Sequence, residues 1–477
     1  MTIHLKKKNL TKLLIILALI FYVLLYTKSF TYFFVQDDFF HLRISRANDV
    51  VQYLNFFKPR SDIIGYRPIS IQNYFFIMKF LFGLDPFGYR VFNLIILGFT
   101  TYIIYKVMHI ISKDEIASAL TAFFWSTSSV HFTSVTWISA NYTILGTFFF
   151  VLSLLLFLKY TQNKRILLYV TSFLLFILSL GSFEFAFSIP IIALFYLVLG
   201  KKKPYFYTIK NLGPFFLVIF FYLIFRIFIK NNPDIEEYKM AINFELFRNL
   251  FWYVLWTFNI PEEFKKQIID NLIIFNKRFL EDYWLLVFKT FFISLISISA
   301  VIAALIFEKF RKLLPLNILL FAILWFLISI LPTLFFIKHS FIYYLPLASV
   351  GLYLLLALAI ISFKQFKFIV LFIAIWLYGS YTTTKFYYDN SYLNLAQKKA
   401  KDNFLKLNQN RIPITSKDVI FYPINSFTER VAVSDNNIVK VVYNNPEINV
   451  YTSKTTLITD YKMGLLENKN IVFLTHD

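Results

Sequence analysis

Two carboxylates stand side by side at Asp37 and Asp38, in the segment FVQDDFFHLRISR. Like charges so placed resist joint ionisation, which pushes one carboxyl toward neutral pH, where it can take a proton from an attacking hydroxyl. The pair would serve equally as a solvated loop start or as an N-cap for the following helix. It could also hold a divalent cation with a phosphate completing the shell, but no third ligand is evident in the sequence, so metal independence is expected. Arg67, fixed beside Pro68 in YRP, has the planar fork to grip a phosphate and also the length to snorkel at an interface. Arg90 and Arg226 read as snorkelling residues at the ends of apolar runs. His131 could orient a substrate or be an ordinary hydrogen-bonded histidine. Glu184 has no charged neighbour in sequence and needs a partner from another element. Lys338 and His339 are cations just before the YYLPLAS segment. Thiol chemistry and disulfides are excluded, because the chain has no Cys.

The elements that must carry these groups are apolar. Of 477 residues, 58% are hydrophobic and 16% charged, with 61 Phe and 31 Tyr, and mean hydropathy is +0.62. Soluble chains carry roughly 25% charged residues, so most of this chain must sit in lipid. The fold class expected is an all-α polytopic membrane protein with about eleven spans. These fall near 11–34, 89–111, 116–134, 136–158, 166–182, 185–199, 211–229, 284–306, 314–337, 341–362 and 368–384. The first lacks a small-residue cleavage site and reads as a retained anchor. Residues 71–84 and 246–258 are short and carry Lys79 or Arg248, which suggests interfacial helices.

Net charge is +21, and its distribution argues for topology and against nucleic-acid binding. Lys6, Lys7, Lys8, Lys12, Lys106, Lys113, Lys159, Lys164, Arg165, Lys201, Lys202, Lys203, Lys210, Lys309, Arg311, Lys312, Lys364 and Lys367 all fall in alternate connections. The intervening short ones, 129–140, 181–184 and 338–340, hold a single basic residue, Lys338. Positive-inside asymmetry then places the N-terminus in the cytoplasm, and an odd number of spans leaves the C-terminus outside, in keeping with a bacterial inner membrane protein. Residues 1–385 form the membrane domain, with long external loops at 35–88 and 230–283. Residues 386–477 turn polar and read as a small extracytoplasmic α/β domain. Its helix is expected over LNLAQKKAKDNFLKLNQN and its strands over DVIFYPI, NNIVKVVY, INVYTS and NIVFLT.

The run YRPISIQNYFFIMKFLFGLDPFGYRVFNLIILGFTTYIIYKV, the Asp pair, SSVHFTSVTWISANYTIL, EFAFSIP and YYLPLASVGLYLLLA resemble, in this order, the multispanning C-type (GT-C fold) glycosyltransferase superfamily. The likeness is strongest to its tetratricopeptide-bearing O-mannosyltransferases and their repeat-free bacterial relatives. It implies a polyprenyl-phosphate sugar donor and transfer on the outer face to a hydroxyl of a glycan, lipid or protein. An Asp of the first external loop would be the base; Asp38 is preferred over Asp37. Arg67, His131, Glu184, Lys338 and His339 would bind substrate and phosphate, and no cofactor is required. Thr133 and Thr143 stand where the family carries acids, Phe183 where it carries Lys, and Phe341 where it tends to carry Arg.

A transporter or flippase of lipid-linked sugars is the competing reading, but it calls for polar groups at midspan, where this sequence is apolar. The topology has a direct check in a chain without cysteine. A single Cys at Ser61 or Ser453 should label with a membrane-impermeant maleimide in intact cells and one at Gly200 should not; the reverse pattern overturns the orientation.

Overall fold

In the computed structural model, eight helices among the described residues are long and apolar enough to cross a membrane. The structure describes residues 2–60, 62–63, 65–201, 203–228, 236–269, 274–312, 314–409, 411–415, 417–424 and 426–474. Ser61 and Lys202 lie outside them, as do the side chains of Lys6, Lys7, Lys8 and Lys309. The eight are Asn9–Thr31, Pro86–Ser112, Ile138–Asn163, Tyr205–Phe228, Lys277–Ile306, Leu316–Leu334, Ile342–Ser362 and Phe366–Asn390. The remaining expected spans are helices too short to count by length, namely Glu115–Ser126, Ile166–Leu180 and the Glu184–Gly200 segment.

Packing follows composition. Tyr205–Phe228 exposes Phe220, Phe221 and Ile227, a surface that suits lipid. Ile342–Ser362 is almost wholly buried at the centre of the bundle. It approaches Leu316–Leu334 so closely that a Cβ on Gly351 would meet the Ala322 carbonyl oxygen at 2.3 Å, a contact that glycine alone permits. Lys113, Gly200, Lys201 and Pro315 line one cavity, so three of the basic connections meet at one end of the bundle. None of these residues lines the cavity bordered by Asp37 and Arg67.

The expected span at 116–134 is broken. Its helix stops at Ser126, where the hydroxyls of Ser126 and Thr127 bond back to the Phe123 carbonyl, and short turns follow before the Asn141–Asn163 helix. Side-chain hydroxyls compete with the helix for its own carbonyls. Residues 129–140 are therefore no exposed loop; nearly all are buried among helices. The two short apolar stretches form helices at Tyr74–Phe82 and Glu245–Thr257. The first buries Tyr74, Phe75 and Met78 and exposes Phe80, Leu81 and Phe82, as a helix lying against a membrane surface would.

Beyond the helix Tyr392–Gln409, strands Asp418–Phe421, Asn449–Tyr451 and Asn470–Phe473 form a parallel sheet with the first strand in the middle. The stretch NNIVKVVY, expected as a strand, is instead a helix, Asn437–Val442. It buries Ile438, Val439, Val441 and Val442, a helical spacing that packing imposes over β-branched preference. This polar region does not hang free. Phe33, Phe34 and Phe39 share one core with Ala400, Ile420, Val433 and Ile438, and the Phe33 amide donates to Gln397 Oε1 at 3.0 Å.

Candidate active site

The helix Asp37–Ile44 carries both carboxylates in its first turn, where the helix dipole favours negative charge. Adjacent residues on a helix point about 100° apart, and here they part company. Asp38 is fully buried. Its Oδ2 accepts from the Val35 amide at 2.9 Å, and its Oδ1 accepts from the Ser139 amide and hydroxyl at 2.7 and 2.6 Å. Burial raises its pKa, while the Ser139 and Val35 donors and the nearby Arg90 pull it back. Asp37 faces a cavity of about 300 Å³. Its carboxylate stays open to that space while protein surrounds its other sides, and the loss of solvent pushes its pKa up to about 6. The two neighbours therefore differ in placement: Asp38 spends its oxygens on the fold, and Asp37 lines the cavity.

The residue that aims this helix is Gln36, whose φ of 54° is left-handed and costs a non-glycine residue conformational energy. Its amide donates to the Ala432 carbonyl at 2.9 Å, so the C-terminal region holds the turn. Ser434 of that region lines the Asp37 cavity. One turn after Asp37, His41 presents itself on the same helix face and lines the cavity too. Burial lowers its pKa to about 3, with a contribution from Arg67, so it is a neutral imidazole, and its Nδ1 has no partner. The sequence held a signal for it in the i, i+4 spacing from Asp37.

Arg67 arrives from the loop before the Tyr74–Phe82 helix. The segment is stitched to residues 181–184 by the Ile69 amide on the Gly181 carbonyl at 3.1 Å and by Ser70 Oγ on the Ser182 carbonyl at 2.7 Å. Its Nε donates to Glu184 Oε2 at 2.8 Å, and its guanidinium lies 4.0 Å over the Tyr142 ring and 5.2 Å from that of Phe183. Burial works against its charge, but Glu184, Tyr142 and Tyr344 together hold its pKa above the usual value. Gly65, at φ +88°, lets the backbone pass under Glu184, because a Cβ there would meet Oε1 at 2.6 Å. Glu184 therefore has the partner that its lone charge called for.

Arg67, Tyr238 and Tyr344 are common to the Asp37 cavity and to a second one of about 390 Å³. The second is lined mainly by apolar groups such as Phe183, Phe187, Leu223 and Phe336, with Arg226 at its wall. Arg226 is thereby a candidate that the snorkelling reading passed over.

The other expected ligands stand elsewhere. His131 is fully buried, its Nε2 2.8 Å from the Trp125 carbonyl and its ring against the Trp125 indole; it lines neither cavity. Lys338 is exposed and paired with Glu236, also away from both. His339 stacks 4.1 Å from Tyr238, and its Nδ1 lies 3.0 Å from the Tyr344 hydroxyl. Burial lowers its pKa to about 4, and its ring supports two tyrosines that line the cavity. Arg90 does not snorkel but is buried, donating to the carbonyls of Tyr32 and Phe33 at 3.2 and 2.9 Å. Among the described residues no three His, Asp or Glu gather as a metal site. Asp62, on the same wall as Asp37, is held by Arg60 at 2.8 Å. Thr133 lines a third cavity with Glu262 and Glu263, so carboxylates of the second external loop stand where the resemblance called for an acid.

The chain has the fold of the multispanning C-type glycosyltransferases. The crystal structure of the Archaeoglobus fulgidus oligosaccharyltransferase tethered through a disulfide to an acceptor peptide containing the NVT sequon matches with a TM-score of 0.50 at 12% identity. The match covers 94% of this chain and 64% of that one. The archaeal oligosaccharyltransferase AglB from the same organism, in complex with an inhibitory peptide and a dolichol-phosphate, gives 0.48 at 13% identity, over 94% of this chain and 65% of that one. The chain thus spans just under two thirds of the length of these structures, which are oligosaccharyltransferases and not O-mannosyltransferases. No family model and no curated protein matches the sequence.

The divided roles of the Asp pair have a stability signature. Asp38→Asn turns an acceptor into a donor facing the Ser139 or Val35 amide and should cost about 1–3 kcal/mol. Asp37→Asn should stay within about 0.5 kcal/mol of wild type. Thermal unfolding of the purified variants reads this difference, and equal midpoints would remove the structural role of Asp38.

Proposed function

We propose that this chain is an integral membrane glycosyltransferase that moves a sugar from a polyprenyl-phosphate donor to an acceptor hydroxyl on the extracytoplasmic face. The observation that carries the reading is a carboxylate, Asp37, and a partly buried guanidinium, Arg67, on one cavity, where the guanidinium also borders an apolar cavity. The polyprenyl chain lies along the apolar walls, and Arg67 and Arg226 meet the phosphate. Asp37 takes the proton of the acceptor hydroxyl as its oxygen attacks the anomeric carbon. The bond from that carbon to the phosphate oxygen breaks, and the electron pair leaves with polyprenyl phosphate. A single displacement of this kind inverts the anomeric centre. The leaving phosphate gains negative charge, so a cation placed in advance supplies what a general acid otherwise would. Glu184 acts as a positioning residue by fixing the plane of the Arg67 fork.

The transfer needs no resident metal in this reading, because Arg67 lines the same cavity as Asp37 and Asp62 is already paired. The basic connections around Lys113 and Lys201 meet at one cavity that shares no residue with the Asp37 cavity, which supports a cytoplasmic N-terminus and an active site on the outer face. A transporter would place its polar groups at midspan; here they gather at one end of the bundle.

Purified protein with radiolabelled polyprenyl-phosphate sugars tests the reading, and absence of sugar transfer would overturn it. A base works deprotonated, so kcat should rise with pH through about 6 and then level off. His339 stays neutral across that range and adds no falling limb near 6.5. Asp37→Asn should lose at least about 100-fold in kcat with donor binding retained; wild-type turnover there would remove Asp37 from the chemistry. Arg67→Lys keeps the charge and the pair with Glu184 but loses the planar fork, and should lower kcat at least about tenfold. An unchanged kcat would reduce Arg67 to a structural residue.

A further inference from the structure

The second external segment supplies two carboxylates that the transfer described above does not use. The Glu262–Gln267 turn places Glu262 and Glu263 in the wall of a cavity of about 170 Å³. Glu262 Oε2 accepts from the Ile342 amide at 3.2 Å, whereas Glu263 Oε2 is buried without a partner. Ser391, 7% exposed, lines the same cavity, and its hydroxyl is equally unpartnered. Trp137 and Tyr343 belong both to this cavity and to that of Asp37, and Gln36, next to Asp37, lines it as well. The two spaces therefore share a wall. The Nε1 of Trp137 is a third buried polar atom with no partner. Leaving a buried polar group unsatisfied costs roughly 1–3 kcal/mol, so three around one cavity mark a place that a ligand completes.

The donors and acceptors say which kind of ligand. A metal ion or an amine would meet the N–H of Trp137 and the ammonium of Lys266, which also lines the cavity. An anion would meet the carboxyl pair, and a hydrocarbon would leave all three atoms unpaired. A polyhydroxylated ring suits all of them, because each hydroxyl both donates and accepts and the ring's apolar face can lie on Trp137, Tyr343 or Tyr392. We infer that this cavity is the acceptor subsite and that the acceptor is a saccharide, whose reacting hydroxyl extends past Trp137 to Asp37; the inference rests on the transferase reading above. Burial pushes Glu262 up to about 7, and burial with the neighbouring Glu262 pushes Glu263 to about 8. At neutral pH the pair retains a proton and can donate to a sugar hydroxyl as well as accept from one.

The test is binding without donor, so it does not depend on turnover. Full-length protein in lipid nanodiscs is applied to an array of defined neutral oligosaccharides and, in parallel, to an array of serine- and threonine-containing peptides. Retention on at least one oligosaccharide class and not on the peptides is expected. Glu263→Gln and Ser391→Ala, each with wild-type melting, should weaken that retention at least about tenfold. Should Glu263→Gln fail to fold, Ser391→Ala carries the comparison alone. No retained saccharide, retention on peptides instead, or wild-type retention by the variants would overturn the inference. Failure of the transferase reading shows separately, as absence of sugar transfer from polyprenyl-phosphate donors by wild type.

Discussion

The hydrogen bonds that close on Asp38 tie the segment after the first long helix to the buried turns around Ser139. A carboxylate taken from water must find donors, and this one finds three, with Arg90 nearby to balance its charge. Arg90 in turn holds the carbonyls of Tyr32 and Phe33, just after the first long helix. With Asp38 locked inward, helix geometry leaves Asp37 and His41 facing the cavity. The carboxylate that lines the cavity is thus aimed by its buried neighbour.

Around that fixed helix, three spaces lie in a row and share walls. Arg67, Tyr238 and Tyr344 separate the apolar cavity from that of Asp37, and Trp137 and Tyr343 separate the latter from the cavity of Glu262 and Glu263. Aromatic rings make these partitions because they are rigid, bulky and tolerant of both apolar and hydroxyl-bearing neighbours. The order matches the order of bonds in the proposed reaction: lipid and phosphate, then sugar, then acceptor.

The sequence was legible where one physical rule acted alone. Long apolar runs gave helices at the expected places, and the polar tail gave three of its strands. It was illegible where packing decided. NNIVKVVY has the composition of a strand, but Ile438, Val439, Val441 and Val442 are drawn together onto one buried side. The turns at 129–140 look like a loop by length, yet the hydroxyls of Ser129, Ser134, Thr136 and Ser139 find partners inside the bundle. Of the charged residues, Asp37, Arg67 and Glu184 reach the proposed centre. His131, Lys338 and His339 do not, because a lone histidine or lysine in a sequence carries no information about which way it points. His41 has a local signal in its i, i+4 spacing from Asp37, whereas Tyr142, which lines the Asp37 cavity, and Arg226, at the apolar one, have none, because their placement depends on elements far away in the chain.

The bond from the Gln36 amide to the Ala432 carbonyl joins two points nearly four hundred residues apart. A ribosome delivers the first of these long before the second, and in the proposed orientation both must be carried across the bilayer before they can meet. Until then the left-handed turn ahead of Asp37 has nothing to hold it, and Ser434 is missing from the cavity wall. A chain synthesised only in part can settle in the membrane with the wall of this cavity unfinished, and a segment made late completes what one made early began.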